Sequence, residues 1–141
     1  MKNTLLVFCA AFALVVSFTG CGSHIPVSVD LELVSLDRGT DGNGKATLRF
    51  LNRGVVAYNF KETTTRVLID GKPVGTIAIK HAMGIPASVA VEQSGIFTAE
   101  KGAVIPSGTA RYQLDTQVIV TLYDENTEKL RLSGSGTVVL K

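Results

Sequence analysis

Cysteine and histidine are scarce in this 141-residue chain, with two of each. Zinc sites are built from closely spaced Cys and His, and neither His24 nor His81 has a Cys or a carboxylate at ligand spacing. No metal site is expected. The Gly-x-Ser-x-Gly elbow that exposes a nucleophilic serine is missing too, and Ser133 and Ser135 in "SGSG" fall on an expected strand rather than a strand-to-helix turn. The chain is therefore expected to have no catalytic residues, to need no cofactor and not to be an enzyme. Charge is sparse and scattered, 14 Lys and Arg against 12 Asp and Glu. Without a basic stripe nucleic acid is not an expected partner, and without a polybasic segment neither is an electrostatic membrane contact. Helical periodicity of useful length is absent after the first 20 residues.

Long apolar runs are limited to one. Leu5 to Phe18 carries no charge, but at 14 residues it falls short of the roughly 20 a membrane-spanning helix needs. With Lys2 before it and the small Gly20 after it, the run has the anatomy of a secretory signal over residues 1–20. Phe18-Thr19-Gly20-Cys21 resembles the bacterial lipobox, in which the cysteine is acylated and becomes the new N-terminus. Cys9 would leave with the signal, and Cys21 would remain as an unpaired thiol in an exported protein. Acylation at Cys21 removes that anomaly, and more than one acyl chain suffices for stable attachment to a membrane. Residues 21–26 then form a lipidated tether spanning roughly 20 Å at full extension, so the domain over residues 27–141 rides close to the bilayer. The expected location is a bacterial cell envelope. Gly22 permits delivery to the outer membrane, facing the periplasm, in a Gram-negative host.

Beyond the tether the chain reads as strands. In "VSVDLELVSLD" Val27, Val29, Leu31 and Leu33 alternate with Ser28, Asp30 and Glu32, and in "KATLRFL" Ala46, Leu48 and Phe50 alternate with Thr47 and Arg49. A period of two marks half-buried strands. "TRVLIDGKPVGTIAI" places Asp70-Gly71 between two apolar runs, the signature of a two-residue hairpin. Pro73 then predicts that the returning strand starts on an edge or with its amide side facing water. "SVAVEQ" is a short strand. In "GTARYQLDTQVIVTL" Tyr112, Leu114, Val118, Val120 and Leu122 share one parity, and "LRLSGSGTVVL" closes the chain, with Gly134 and Gly136 marking a bulge or a close backbone approach. About seven strands with frequent turns predict an all-β, antiparallel β-sandwich, with a closed barrel as the alternative.

"VLIDGKPVGT", "VIPSGTARYQLDTQVIV" and "LRLSGSGTVVL" stand in the order and spacing of the group 2 late-embryogenesis-abundant (LEA type 2) proteins, also called the water-stress and hypersensitive-response (WHy) domain. The chain resembles that family from about Pro26 to Lys141. Its signature Asn-Pro-Asn after the second strand is represented here by Asn52-Arg53-Gly54, so only Asn52 matches. The resemblance implies a fibronectin-III/immunoglobulin-like sandwich without catalytic residues, a role in desiccation or osmotic stress tolerance and, in many bacterial members, a lipoprotein signal.

Three stretches invite a specific function. In "DRGTDGNGK" Asp37, Asp41 and Gly42 fit positions 1, 5 and 6 of an EF-hand-type calcium loop, but Gly39 and Leu48 occupy positions 3 and 12, where ligands are needed. That weighs toward a plain glycine-rich connection. Ile96-Phe97 in the long polar connection "SGIFTAEKG", and "VVAYNF" at 55–60, which has no clean alternation, either pack back on the core or form a contact patch for a partner. Two functions are compatible with these features: a membrane-tethered stress-protection domain acting on client proteins or lipid, or an envelope adaptor that docks a protein at a sheet edge and at Ile96-Phe97.

Overall fold

A computed structural model of the chain describes residues 27–121 and 126–141. Cys21, His24 and the expected signal and tether lie outside the described residues. The rest forms eight strands: β1 (Val29–Asp37), β2 (Asn43–Asn52), β3 (Tyr58–Ile69), β4 (Lys72–Ile79), β5 (Met83–Ile85), β6 (Ala90–Ala99), β7 (Gly108–Thr121) and β8 (Thr127–Leu140). All pairings are antiparallel, in the order β1-β2-β6-β4-β3-β7-β8, with β5 added beside β3.

The expected all-β antiparallel architecture is what the chain adopts. Its hydrogen bonding, however, runs as one sheet, nearly closed into a barrel, and not as two separate sheets. β6 is the reason. It pairs with β2 along its whole length and with β4 through Ile96–Ala99, joining what would otherwise be two layers. This junction requires the strands to approach closely at Gly95, where a Cβ would lie 2.7 Å from Ile77 Cγ2 and 2.9 Å from the Ala78 oxygen. The outer strands β1 and β8 then meet across the remaining gap without a ladder between them. Gly134 on β8 lies so close to the Leu31 carbonyl of β1 that a Cβ would overlap it. The glycine pattern of β8 thus marks a close approach. It is not a bulge, because β7 and β8 stay in unbroken register from Gly108↔Leu140 to Thr121↔Thr127.

Alternation sorts the core. Leu48, Phe50, Phe60, Val67, Ile77 and Val118 are fully buried, and Phe50 meets Phe60 edge to face at 5.9 Å, a favoured aromatic geometry. On β1 the alternation slips. A register shift between Leu33 and Ser35 leaves Val34 facing out and turns Leu36 inward. The β3–β4 hairpin turns as expected, with φ of 49° at Asp70 and 79° at Gly71, the double positive φ of a type I′ turn. β4 is not an edge strand: β3 flanks it on one side and β6 on the other. Pro73 is tolerated because β6 pairs with β4 only from Gly75 onward.

Candidate functional site

β2 runs inward through Ala46, Leu48 and Phe50, and the next residue of that parity is Asn52, whose side chain is completely buried. An amide there must find partners or carry a desolvation cost. Its Nδ2 donates toward the carbonyls of Val56 (2.8 Å), Pro86 (3.1 Å) and Ile85 (3.3 Å), while Oδ1 accepts from the Gly54 amide (2.9 Å). Backbone bonds continue the bracket: Asn52 N to Val89 O at 3.1 Å, Ser88 N to Gly54 O at 3.2 Å and Arg53 N to Ser28 O at 2.8 Å. The Asn52 side chain therefore ties residues 53–57 to residues 85–89, and the Arg53 backbone adds the entry of β1 at the same end of the barrel. Composition gave no hint of this role, but parity could have found it, because Asn52 continues the buried row of β2.

The other singled-out residues are dispersed. Phe97 is buried in the core at 1% exposure, whereas its neighbour Ile96 is 63% exposed on the outer face. Both belong to β6, which continues where the sequence reads as a polar connection. Ser94 and Gly95 are poor strand formers in isolation, but β2 supplies their ladder partners and β4 joins on the other side from Ile96 onward. A partner could reach Ile96 but not Phe97. In "VVAYNF" Phe60 is core, Tyr58 packs against it, and Val55 and Val56 are exposed. His81 is exposed, with Nε2 3.1 Å from Gln93 Oε1. Ser133 and Ser135 face solvent on β8.

The glycine-rich connection after β1 lies at the opposite end of the barrel. There Thr40 Oγ1 donates to Asp41 Oδ1 at 2.9 Å, and Arg38 Nη1 donates to the Ile105 carbonyl at 2.8 Å. Among the described residues no three His, Cys, Asp or Glu side chains converge in a metal-binding group. On the outer face Arg49 bridges Glu92 (2.7 Å) and Glu32 (2.9 Å), linking β6, β2 and β1. These hydrogen bonds, with Glu92 the stronger influence, hold the guanidinium even more firmly protonated than usual. An open groove of about 620 Å³ crosses the outer face of β3, β4, β6, β7 and β8. Its walls include Thr64, Arg66, Thr76, Thr98 and the Asp115–Arg131 ion pair (2.8 Å).

No protein-family model matches the chain, and no curated protein does. Solved structures do. The chain is similar to the Arabidopsis thaliana protein AT1g01470, solved in solution, at 14% identity and a TM-score of 0.51, over 79% of this chain and 78% of that one. A crystal structure of an Archaeoglobus fulgidus protein aligns at 9% identity and a TM-score of 0.46, over 79% of this chain and 95% of the other. A solution structure of At2g46140.1, a protein put forward as late embryogenesis abundant (LEA), aligns at 11% identity and a TM-score of 0.40, over 82% and 72%. The likeness to AT1g01470 is one of fold alone, and the two looser alignments carry no argument.

Proposed function

We propose that the chain is a lipid-anchored, non-catalytic domain of the bacterial cell envelope, of the LEA type 2 kind, that protects clients or membrane during desiccation or osmotic stress. The observation that carries this reading is the placement of the resembling motifs. "VLIDGKPVGT" forms the β3–β4 turn, "ARYQLDTQVIV" and "LRLSGSGTVVL" form the longest ladder, and Asn52, the one signature residue that matches, is the buried bracket between two loops. On this reading the nearly closed single sheet is a variant of the family's fibronectin-III-like sandwich, with β1-β2-β6 and β4-β3-β7-β8 as its two layers joined by the β4–β6 pairing. The lipobox-like residues ahead of Cys21 support the anchor.

The intact mass of the protein extracted from membranes tests the anchor. Cleavage before Cys21 with added acyl mass is expected, and an unmodified Cys21 would refute it. Drying or heating a labile enzyme beside the protein tests the protective role. Protection no better than that from an inert protein of equal mass would end that part. The adaptor reading loses Phe97, which is core, and an edge at β4, which is flanked on both sides, and keeps Ile96.

A further inference from the structure

The end of the barrel gathered by Asn52 carries an unusual cluster of exposed apolar residues. Val55 is 91% exposed, Val56 45% and Val89 44%, and Ala57, Pro86 and Ala90 beside them are exposed as well. Across residues 53–57 and 86–90 the only charged side chain is Arg53, and its guanidinium is paired with Asp30. These loops are held in place before any partner arrives: Asn52 bonds to the backbone on both sides, and Ser88 N bonds to Gly54 O. Little ordering remains to oppose a contact made by the valines. Val104, also exposed, sits at the other end, where Arg38, Lys101 and Lys141 lie.

We infer that the Val55-Val56-Val89 tip is a lipid-contacting surface that seats the domain on the bilayer. The occupant is set by where the chain leaves. Ser28 is bonded to Arg53 at this same end, so Val27, the first described residue, lies beside the tip. On the anchor reading, on which this inference rests for its occupant, Val27 lies only six positions after the acylated Cys21, a reach of roughly 20 Å. Such a tether delivers this end to the membrane interface. Apolar side chains with a neutralised charge suit the boundary between headgroups and acyl chains. The acyl chains hold the protein there, and the valines set its orientation.

The test uses the full chain with Cys9→Ala, extracted from membranes and reconstituted into phosphatidylcholine vesicles. Val55→Cys, Val89→Cys and, as a control at the far end, Lys101→Cys each receive an environment-sensitive fluorophore. Quenching by lipids brominated high on the acyl chain is then read beside the intact mass. Several-fold stronger quenching and a blue-shifted emission at 55 and 89 relative to 101 are expected. Equal quenching at all three sites, in protein whose mass shows the acyl chains, would overturn the tip and leave the anchor standing. Stronger quenching at 55 and 89 in protein lacking the acyl chains would sink the anchor and support the tip. Shielding at 55 that needs no lipid and grows with protein concentration would assign the patch to a second copy of the chain and overturn the lipid assignment.

Discussion

Truncating Asn52 to alanine should be among the most damaging single changes outside the apolar core. The side chain is fully buried, and four hydrogen bonds end on its amide. Nδ2 has two hydrogens for three carbonyls, so about three bonds are made at once, each contributing about 1 kcal/mol net. Asn52→Ala is therefore expected to lose about 3 kcal/mol, with the stranded carbonyls of Ile85 and Pro86 adding to the loss wherever water cannot reach them. In urea, with a slope of about 1.5 kcal/mol per M, the midpoint should fall by about 2 M at unchanged slope. The melting temperature should fall by about 12 °C, at about 4 °C per kcal/mol for a domain of this size. Hydrogen exchange should quicken at the Gly54 and Ser88 amides before it does in β7. A loss under about 1 kcal/mol would refute the bracket, because the loops would then be holding themselves. Asn52→Asp sharpens the test. The carboxylate has the same shape but cannot donate, and burial against carbonyl oxygens raises its folded pKa above the unfolded value of about 3.9. Its protonated form restores one donor, and that stability is present below the unfolded pKa and disappears as pH rises through the folded one. Asn52→Asp should thus be more stable than Asn52→Ala in acid and less stable near neutrality.

The packing sets three further outcomes. Gly134→Val should cost about 2 kcal/mol or more, because its Cβ overlaps the Leu31 backbone and β1 must move off β8. Gly136→Ala should cost less, since its Cβ meets the Tyr112 side chain, with the hydroxyl at 2.8 Å and the nearest ring carbon at 3.0 Å, and not a backbone. Denaturant midpoints of the two variants decide the comparison, and equal losses would contradict the close approach of β1 and β8. Phe97→Ser should destabilise by about 3 kcal/mol or more, while Ile96→Ser should stay within about 0.5 kcal/mol. Thermal melts showing equal effects would place Phe97 outside the core. Thr65 and Thr116 share a buried hydroxyl hydrogen bond of 2.8 Å. Either single change to valine should cost about 1 to 3 kcal/mol by stranding the other hydroxyl, whereas the double change should be nearly neutral. A double-mutant cycle that came out additive would argue against the pair.

Much of the strand content was readable in sequence because it rests on local rules. Twofold alternation marked β2 and β7, and Asp70-Gly71 named a turn whose two positive φ angles the structure reproduces. Local rules misled where partners on both sides support a weak segment. The end of β6, with Ser94 and Gly95 ahead of Ile96-Phe97, reads as a connection, and its strand character comes from β2 and β4. β5 is three residues long and pairs with Tyr58–Phe60, so no periodicity could reveal it. Pro73 predicted an edge or an unpaired amide side; β4 is not an edge, but β6 begins its pairing two residues after Pro73, at Gly75.

The candidate site divides in the same way. That Asn52 continues an inward row was written in β2, and the apolar character of Val55, Val56 and Val89 in the loop sequences. What lies against that amide was not, since Ile85 and Pro86 are more than thirty positions away and reach it only after β3, β4 and β5 have been laid down. Side-chain direction along a strand is a property of neighbouring bonds and survives in the one-dimensional pattern. Which strand lies beside which, and which end of the barrel gathers the exposed valines, depends on long-range closure driven by burial over the whole chain, and that exists only in the folded molecule.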